Sequence, residues 1–484
     1  MNRTALVFTS AAALAVVSLA LSWSSRPPRS SEASPAPRLV PTGGTGGNVG
    51  IAGPASYSQG GPRFDVVGLP VEQHDDALDV SLRLSRTRWE LGQTLYAKVS
   101  VRAPDKAATL PTTMVLVLDR SSSMRGEKWA QAQRAANALI AALSPDDELG
   151  VVAFDSDVKS LPLTLADAAG KAKLKAFVAE LTPNSGTNIG VALSAADRLL
   201  GARTGRISSK RVVLVSDGQP TEGLTSPDEL ASVASELHSR GAAVSAFGVG
   251  LDFDQKVMRA IAEEGAGFYA FLEQASGLAA VLEKELELAH HTVARRVTLG
   301  VGMPSGLRIV AIAGRRYRHM GENGASFPLP DLGPGHEAQA YVKLEVVAPI
   351  PGEAMAVAGA IAPRSDRHHA ERITIKAGTG GAPGEGGTVD ERLEAEGVRA
   401  FASEQVFAAT AAFEKGDKAQ ALSLLDEARK MLGTSSDALA GSEADDLADV
   451  RRGWERVNNA TEMRRSSMNL TNKKMANFGQ NNRY

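Results

Sequence analysis

Met114-Val115-Leu116-Val117-Leu118-Asp119-Arg120-Ser121-Ser122-Ser123 is an unbroken apolar run that ends on one carboxylate and two alternate hydroxyls. A short continuous apolar run reads as a buried parallel strand, and in open α/β sheets ligands collect where the chain leaves the carboxyl end of such a strand. Asp119, Ser121 and Ser123 stand at that exit. A carboxylate and two hydroxyls on a tight loop can converge as short oxygen ligands. That set suits a hard six-coordinate cation such as Mg2+ or Mn2+, with Ca2+ a poorer match. The chain has no cysteine, so no thiolate competes. Helix capping is the competing reading, because Asp and Ser are favoured N-caps and Trp129, Ala132, Ala136, Leu139, Ile140 and Leu143 then recur at helical spacing.

Two further loops favour the metal. Gly186-Thr187-Asn188 opens a second helical stretch, and Ser216-Asp217-Gly218 follows the apolar run Val212 to Val215, which places another carboxylate at a strand exit. Three loops then supply five oxygen side chains: Asp119, Ser121, Ser123, Thr187 and Asp217. This ordered set resembles the metal-ion-dependent adhesion site of von Willebrand factor type A (VWA) domains, and every residue of that motif has its counterpart. The resemblance extends over about residues 112 to 291, where the runs Leu149 to Phe154, Val212 to Val215 and Val244 to Val249 alternate with helical patterns. It implies a doubly wound, mostly parallel Rossmann-like α/β sheet with one antiparallel edge strand, here Val158 to Leu163. It also implies that Ser121 and Ser123 bind the cation directly, Asp119 and Asp217 directly or through water, and Thr187 directly in the ligand-competent state. Two carboxylates at most neutralise a divalent cation, so an open coordination position would welcome an Asp or Glu carboxylate from a protein partner.

Outside 112–291 the pattern changes. Leu78, Val80, Leu82 and Leu84 alternate with polar residues, as do Leu95, Ala97, Val99 and Val101; alternation returns at Val297, Leu299 and Val301, at Leu307 and Ile309, at Val342, Leu344 and Val346, and at Ile373 and Ile375. Neither set covers its own apolar face or closes its edges. Residues 63–111 and 292–376 are therefore expected to pair as one β-sandwich with the VWA-like domain inserted between them. Residues 377–389 read as a Gly-rich linker, 390–463 as a C-terminal α-helical segment packed as an appendage, and 464–484 as a tail without apolar span.

The amino terminus carries an export signal: Arg3 precedes the apolar stretch Ala5 to Trp23, and Arg26-Pro27-Pro28 follows. Ser18 and Ala20 offer a small-x-small cleavage pattern, while the stretch also approaches the length that spans a bilayer. Residues 1–25 are thus a signal peptide or a single N-terminal membrane anchor, and the Pro/Ser/Gly tract 26–62 is a tether. The implied location is exported: periplasmic, membrane-anchored or at the cell surface. A formal net charge of -2, from 53 basic and 55 acidic residues, argues against nucleic acid as a partner.

Other chemistry fares worse. Gly43-Gly44-Thr45-Gly46-Gly47-Asn48 lacks the preceding strand and the Lys-Ser/Thr ending of a phosphate loop. His290-His291 and His368-His369 are adjacent pairs whose rings diverge, so they read as solvated or capping histidines. Asp146-Asp147-Glu148 and Glu443-Ala444-Asp445-Asp446 read as solvated helix ends. The sequence predicts a non-enzymatic, metal-dependent binding protein with an adhesion or envelope-scaffold role. The alternatives are an accessory subunit of a nucleotide-driven chaperone or chelatase, and a hydrolase using Asp217 as general base on a metal-bound water.

Overall fold

The computed structural model describes residues 78–475 apart from 87–89, 106–109, 203–207, 322, 349–356, 364–369, 376–388 and 458. The expected signal or anchor, the tether, nearly all of the Gly-rich linker, His368-His369 and the end of the tail lie outside the described residues.

The first alternating runs form strands β1 (Asp79–Leu84) and β2 (Thr94–Arg102). They pair antiparallel with Val80 opposite Val101 and Leu82 opposite Val99, so the apolar residues share one face. The chain then enters the α/β region through β3 (Thr112–Asp119), buried along its whole length as its continuous apolar run requires. There follow α1 (Glu127–Ala142), β4 (Glu148–Phe154), β5 (Val158–Leu165), α2 (Ala168–Glu180), α3 (Ile189–Gly201) and β6 (Ser209–Ser216). The region is completed by α4 (Pro227–Ser239), β7 (Ala242–Val249), α5 (Gln255–Glu264), β8 (Ala266–Leu272) and α6 (Leu278–His290).

The six strands order as β5-β4-β3-β6-β7-β8. Only β5 runs antiparallel, pairing Phe154 with Val158 at the sheet edge. Alternate residues of β3 face opposite layers: Met114, Leu116 and Leu118 pack with α1 and α6, while Val115 and Val117 pack with α3. Because β4 lies on one side of β3 and β6 on the other, the strand order reverses at β3, the crevice where such sheets bind ligands.

Leu110 N donates to His290 O at 3.1 Å, so the chain leaves the α/β region beside the point where it entered. Strands β9 (Thr298–Gly302), β10 (Leu307–Ile312), β11 (Arg318–His319), β12 (Gly324–Pro328), β13 (Glu337–Val346), β14 (Val357–Pro363) and β15 (Ala370–Ile375) follow. They build the sheets β1-β2-β13-β10 and β11-β12-β9-β14-β15. Strand β13 binds β2 over its length, pairing Ala340 with Val99, and Leu82, Val99, Leu299, Phe327 and Leu344 share one core between the sheets. Each fragment thus closes the face that the other leaves open. The α/β region is the insert.

The C-terminal helices are α7 (Glu391–Glu414), α8 (Lys418–Leu432), α9 (Ala438–Arg456) and α10 (Ala460–Met475). Two expectations need correction. Helix α10 crosses the expected boundary at 463: Met468 and Leu470 are buried, and Lys474 pairs with Glu443 while Lys473 pairs with Asp446, so residues 464–475 continue the helical segment. Nor are the helices an appendage. Phe401 of α7 stacks on Tyr96 of β2 with ring centroids 5.8 Å apart, and Arg259 of α5 lies 4.5 Å over the Phe407 ring. One core therefore runs from the α3–α4–α5 layer through Phe271 to Phe413 and Trp454.

The reading of the two acidic clusters holds for Asp146 and Asp445, which are exposed, and is corrected for Asp147 and Glu443. Asp147 is buried, accepting from Thr112 N at 2.8 Å and Ser144 N at 2.6 Å, and bonding His290 Nε2 at 2.8 Å. Glu443 binds Arg399 and Lys474. These carboxylates, and His290 with them, tie elements together instead of facing solvent.

Candidate metal centre

Strands β3 and β6 lie side by side in parallel, so their carboxyl ends release Asp119 and Asp217 at one edge of the sheet. Asp119 Oδ1 accepts from Ser121 N at 2.7 Å, folding the loop back, and Asp119 Oδ2 accepts from Ser216 Oγ at 2.5 Å. The loop brings Ser121 Oγ within 2.9 Å of Ser123 Oγ, which donates to Asp217 Oδ1 at 2.8 Å. Capping does not account for these side chains. Neither the 3-10 turn Ser122–Met124 nor α1 receives a side-chain cap, and α1 begins after Gly126.

Thr187 reaches the cluster from the third loop. Its N donates to Thr221 Oγ1 at 3.0 Å and its carbonyl accepts from Thr221 N at 2.9 Å, while Asn188 caps α3 by accepting from Val191 N. Gly186 has φ +85, and a Cβ there would fall 2.1 Å from Ser156 Oγ, so only glycine lets this loop pass. A Cβ placed on Gly218 would stand 3.4 Å from Thr187 Oγ1, 3.6 Å from Ser123 Oγ and 3.8 Å from Asp119 Oδ2. The structure therefore brings all five expected residues around one small space.

The electrostatics match the geometry. Burial pushes the Asp119 carboxyl up to about 6, the hydrogen bonds from Ser216 and Ser121 pull it down, and the neighbouring Asp217 charge pushes it up again. Burial is the largest of these effects, and it disfavours the charged form of the carboxyl. Two carboxylates and three hydroxyls gathered at one sheet edge form a hard-oxygen donor set that fits Mg2+ or Mn2+. Among the described residues no group of three or more His, Cys, Asp or Glu forms a metal cluster.

Sequence reasoning missed two features. Lys128, at the second position of α1, sets its Nζ 2.5 Å from Asp217 Oδ2. The available signal was a cation in the first turn of a helix, where the dipole disfavours it. Arg120, between Asp119 and Ser121, makes a buried ion pair with Asp155 at 2.6 Å and accepts Asn184 N on its carbonyl, bracing the Thr187 loop. A groove of about 530 Å3 between α5 and α7 is lined by none of the five residues. Several of its charges are satisfied locally, Arg259 by Glu263 at 2.6 Å and Glu404 by Gly314 N at 2.5 Å.

Residues 113–284 match the family model of the von Willebrand factor type A domain, and the chain carries a domain of that family. Human inter-alpha-trypsin inhibitor heavy chain H4 is 28% identical over 188 residues, covering 37% of this chain and 20% of that protein. The uncharacterized protein YfbK of Escherichia coli is 28% identical over 218 residues, covering 44% of this chain and 38% of its own length. The matches thus span well under half of either relative. Among solved structures, a von Willebrand factor type A protein from Catenulispora acidiphila superposes with TM-score 0.62 at 18% identity, over 82% of this chain and 96% of its own. The ArnB paralog VWA2 from Sulfolobus acidocaldarius does so with TM-score 0.51 at 16% identity, over 82% and 98%. The shared fold therefore reaches well beyond residues 113–284.

Proposed function

We propose that this chain is a binding protein that recognises an acidic group on a protein partner through a Mg2+- or Mn2+-dependent adhesion site. One observation carries the reading: oxygens of Thr187, Ser123 and Asp119, from two loops, lie within 4 Å of a Cβ built on Gly218, and Ser123 Oγ in turn meets Ser121 Oγ and Asp217 Oδ1 at 2.9 and 2.8 Å. Ser121, Ser123 and Thr187 would hold the cation through neutral oxygens, and Asp119 and Asp217 would supply the charge. When bound, the cation supplies an electron-poor open position for a carboxylate. The chain's own residues fix the geometry: Ser216 orients Asp119, Gly186 admits the Thr187 loop, and Arg120 with Asp155 keeps that loop against β3. Ser123 Oγ is held by the Asp217 carboxylate rather than an imidazole, an arrangement for ligation and not for nucleophilic attack.

The apolar segment Ala5 to Trp23 supports export, with an adhesion or envelope-scaffold role in a bacterial cell. Added protease should trim the protein on intact spheroplasts; protection until lysis would place it inside and revive the chaperone-accessory reading. Ligand recognition is tested with immobilised full-length protein and an array of peptides bearing Asp or Glu alongside their Asn or Gln counterparts. Retention of the acidic peptides in Mg2+, lost in chelator, is expected. Equal retention of the amide peptides would contradict carboxylate recognition.

A further inference from the structure

The centre holds a second positive group that the acidic-ligand reading leaves without a task. Lys128 Nζ sits 2.5 Å from Asp217 Oδ2, on the oxygen opposite the one that accepts from Ser123. Asp217 is fully buried, whereas the Lys128 side chain is 29% exposed and so reaches the carboxylate from the solvent side. Its stem crosses the backbone of Gly250, whose φ is +76; a Cβ there would stand 3.1 Å from Lys128 Cε and 3.2 Å from Nζ. The β7–α5 loop thus leaves a channel for this lysine. On the far side of the ammonium, Asp252 Oδ2 lies 3.9 Å away and is largely exposed, and Arg464 of α10 approaches its other oxygen at 3.6 Å.

We infer that Lys128 sets the specificity of this centre by competing with the divalent cation for Asp217 and, once displaced toward Asp252, leaving the loaded site with a net positive charge. The inference rests on the metal-binding reading above. Two carboxylates and a divalent cation sum to zero; Lys128 and Arg464 then add two positive charges and Asp252 removes one, which leaves the total at plus one. Two consequences follow from that charge. A cation entering alone must break a short ion pair with a buried carboxylate, so its affinity falls below what the five oxygens would give. An anionic ligand restores neutrality, so ligand and cation each strengthen the other's binding, as linkage requires. Asp252 gives the displaced ammonium a waiting acceptor, which keeps the exchange from stranding a charge.

The test is calorimetric titration of Mg2+ into the full-length wild type, Lys128→Met and Lys128→Arg. Lys128→Met should bind Mg2+ roughly tenfold more tightly, the value of one charge-assisted contact, and Lys128→Arg should stay near wild type. Equal or weaker binding in Lys128→Met, with Mg2+ binding intact in the wild type, would overturn the competition while leaving the metal reading standing. Failure of every form to bind Mg2+ would overturn both. A second measurement needs no variant: acetic anhydride labelling of the wild type, read by mass spectrometry. Lys128 should label faster in Mg2+ than in chelator, and an unchanged or slower rate would count against its displacement.

Discussion

Ser216 Oγ donates to Asp119 Oδ2 at 2.5 Å, joining the carboxyl ends of two adjacent parallel strands through side chains rather than backbone. This bond fixes the carboxylate and draws its pKa down against the effect of burial. Ser216→Ala should therefore weaken Mg2+ binding by roughly tenfold, the scale of a hydrogen bond to a charged group, without unfolding the sheet. Calorimetry of the variant at pH 7, beside a thermal melt, checks both halves of that statement.

Thr187 should separate ion holding from ligand sensing. Asp119, Ser121, Ser123 and Asp217 remain when its hydroxyl is removed, so Thr187→Val is expected to change Mg2+ affinity little. Binding of an acidic peptide should fall by about tenfold to a hundredfold, one charge-assisted contact of roughly 1.5 to 3 kcal/mol. Equal losses in the two assays would make Thr187 an ordinary structural ligand.

Asp147, which is buried, and Glu414, which is half-buried, give opposite pH signatures. Burial would raise the Asp147 pKa, but the bonds from His290, Thr112 N and Ser144 N outweigh it and hold the carboxyl below its usual range. Its contribution to stability is present above the unfolded carboxylate pKa and is lost as pH falls through the lower folded value. Asp147→Asn should lower the melting temperature at pH 7 and flatten the acid limb below about pH 4. At Glu414, burial pushes the pKa up to about 7, so its contribution is complete below the ordinary carboxylate range and disappears as pH rises through about 7. Glu414→Gln should melt above wild type at pH 8 and converge with it near pH 5.

The helical segment should unfold with the rest. Phe413 and Trp454 stack with centroids 3.9 Å apart inside the core that also holds Phe253 and Tyr269 of the α/β region. Trp454→Ala should cost about 3 to 5 kcal/mol and shift one cooperative transition, not a separate one. A melt showing only an early minor phase displaced would restore the appendage.

Much of this was legible because the signals are local. The apolar run before Asp119, the period-two alternation of Val80 to Leu84 and the oxygen-bearing loops each announce themselves within ten residues. The edge strand was found as Val158 to Leu163 and runs two residues further. Strand β8 escaped notice because Gly265 and Gly267 interrupt its apolar pattern and Ala266 enters at φ 50. Asp147 looked like a solvated cluster member because its partner His290 lies 143 positions away, and no window along the chain contains both. Arg120 hides its task for the same reason, and the unfavourable place of Lys128 in the first turn of α1 marks it as unusual without naming Asp217 as its partner. The helix-to-sheet core was hidden too, since an amphipathic stripe shows that a face is buried but not against what.

Mg2+ calorimetry on the full-length protein and on Asp119→Ala and Asp217→Ala tests the central claim most directly. The account predicts one-site binding in the wild type, abolished or much weakened in both variants while circular dichroism shows the fold retained. The same Mg2+ affinity in all three proteins would contradict it.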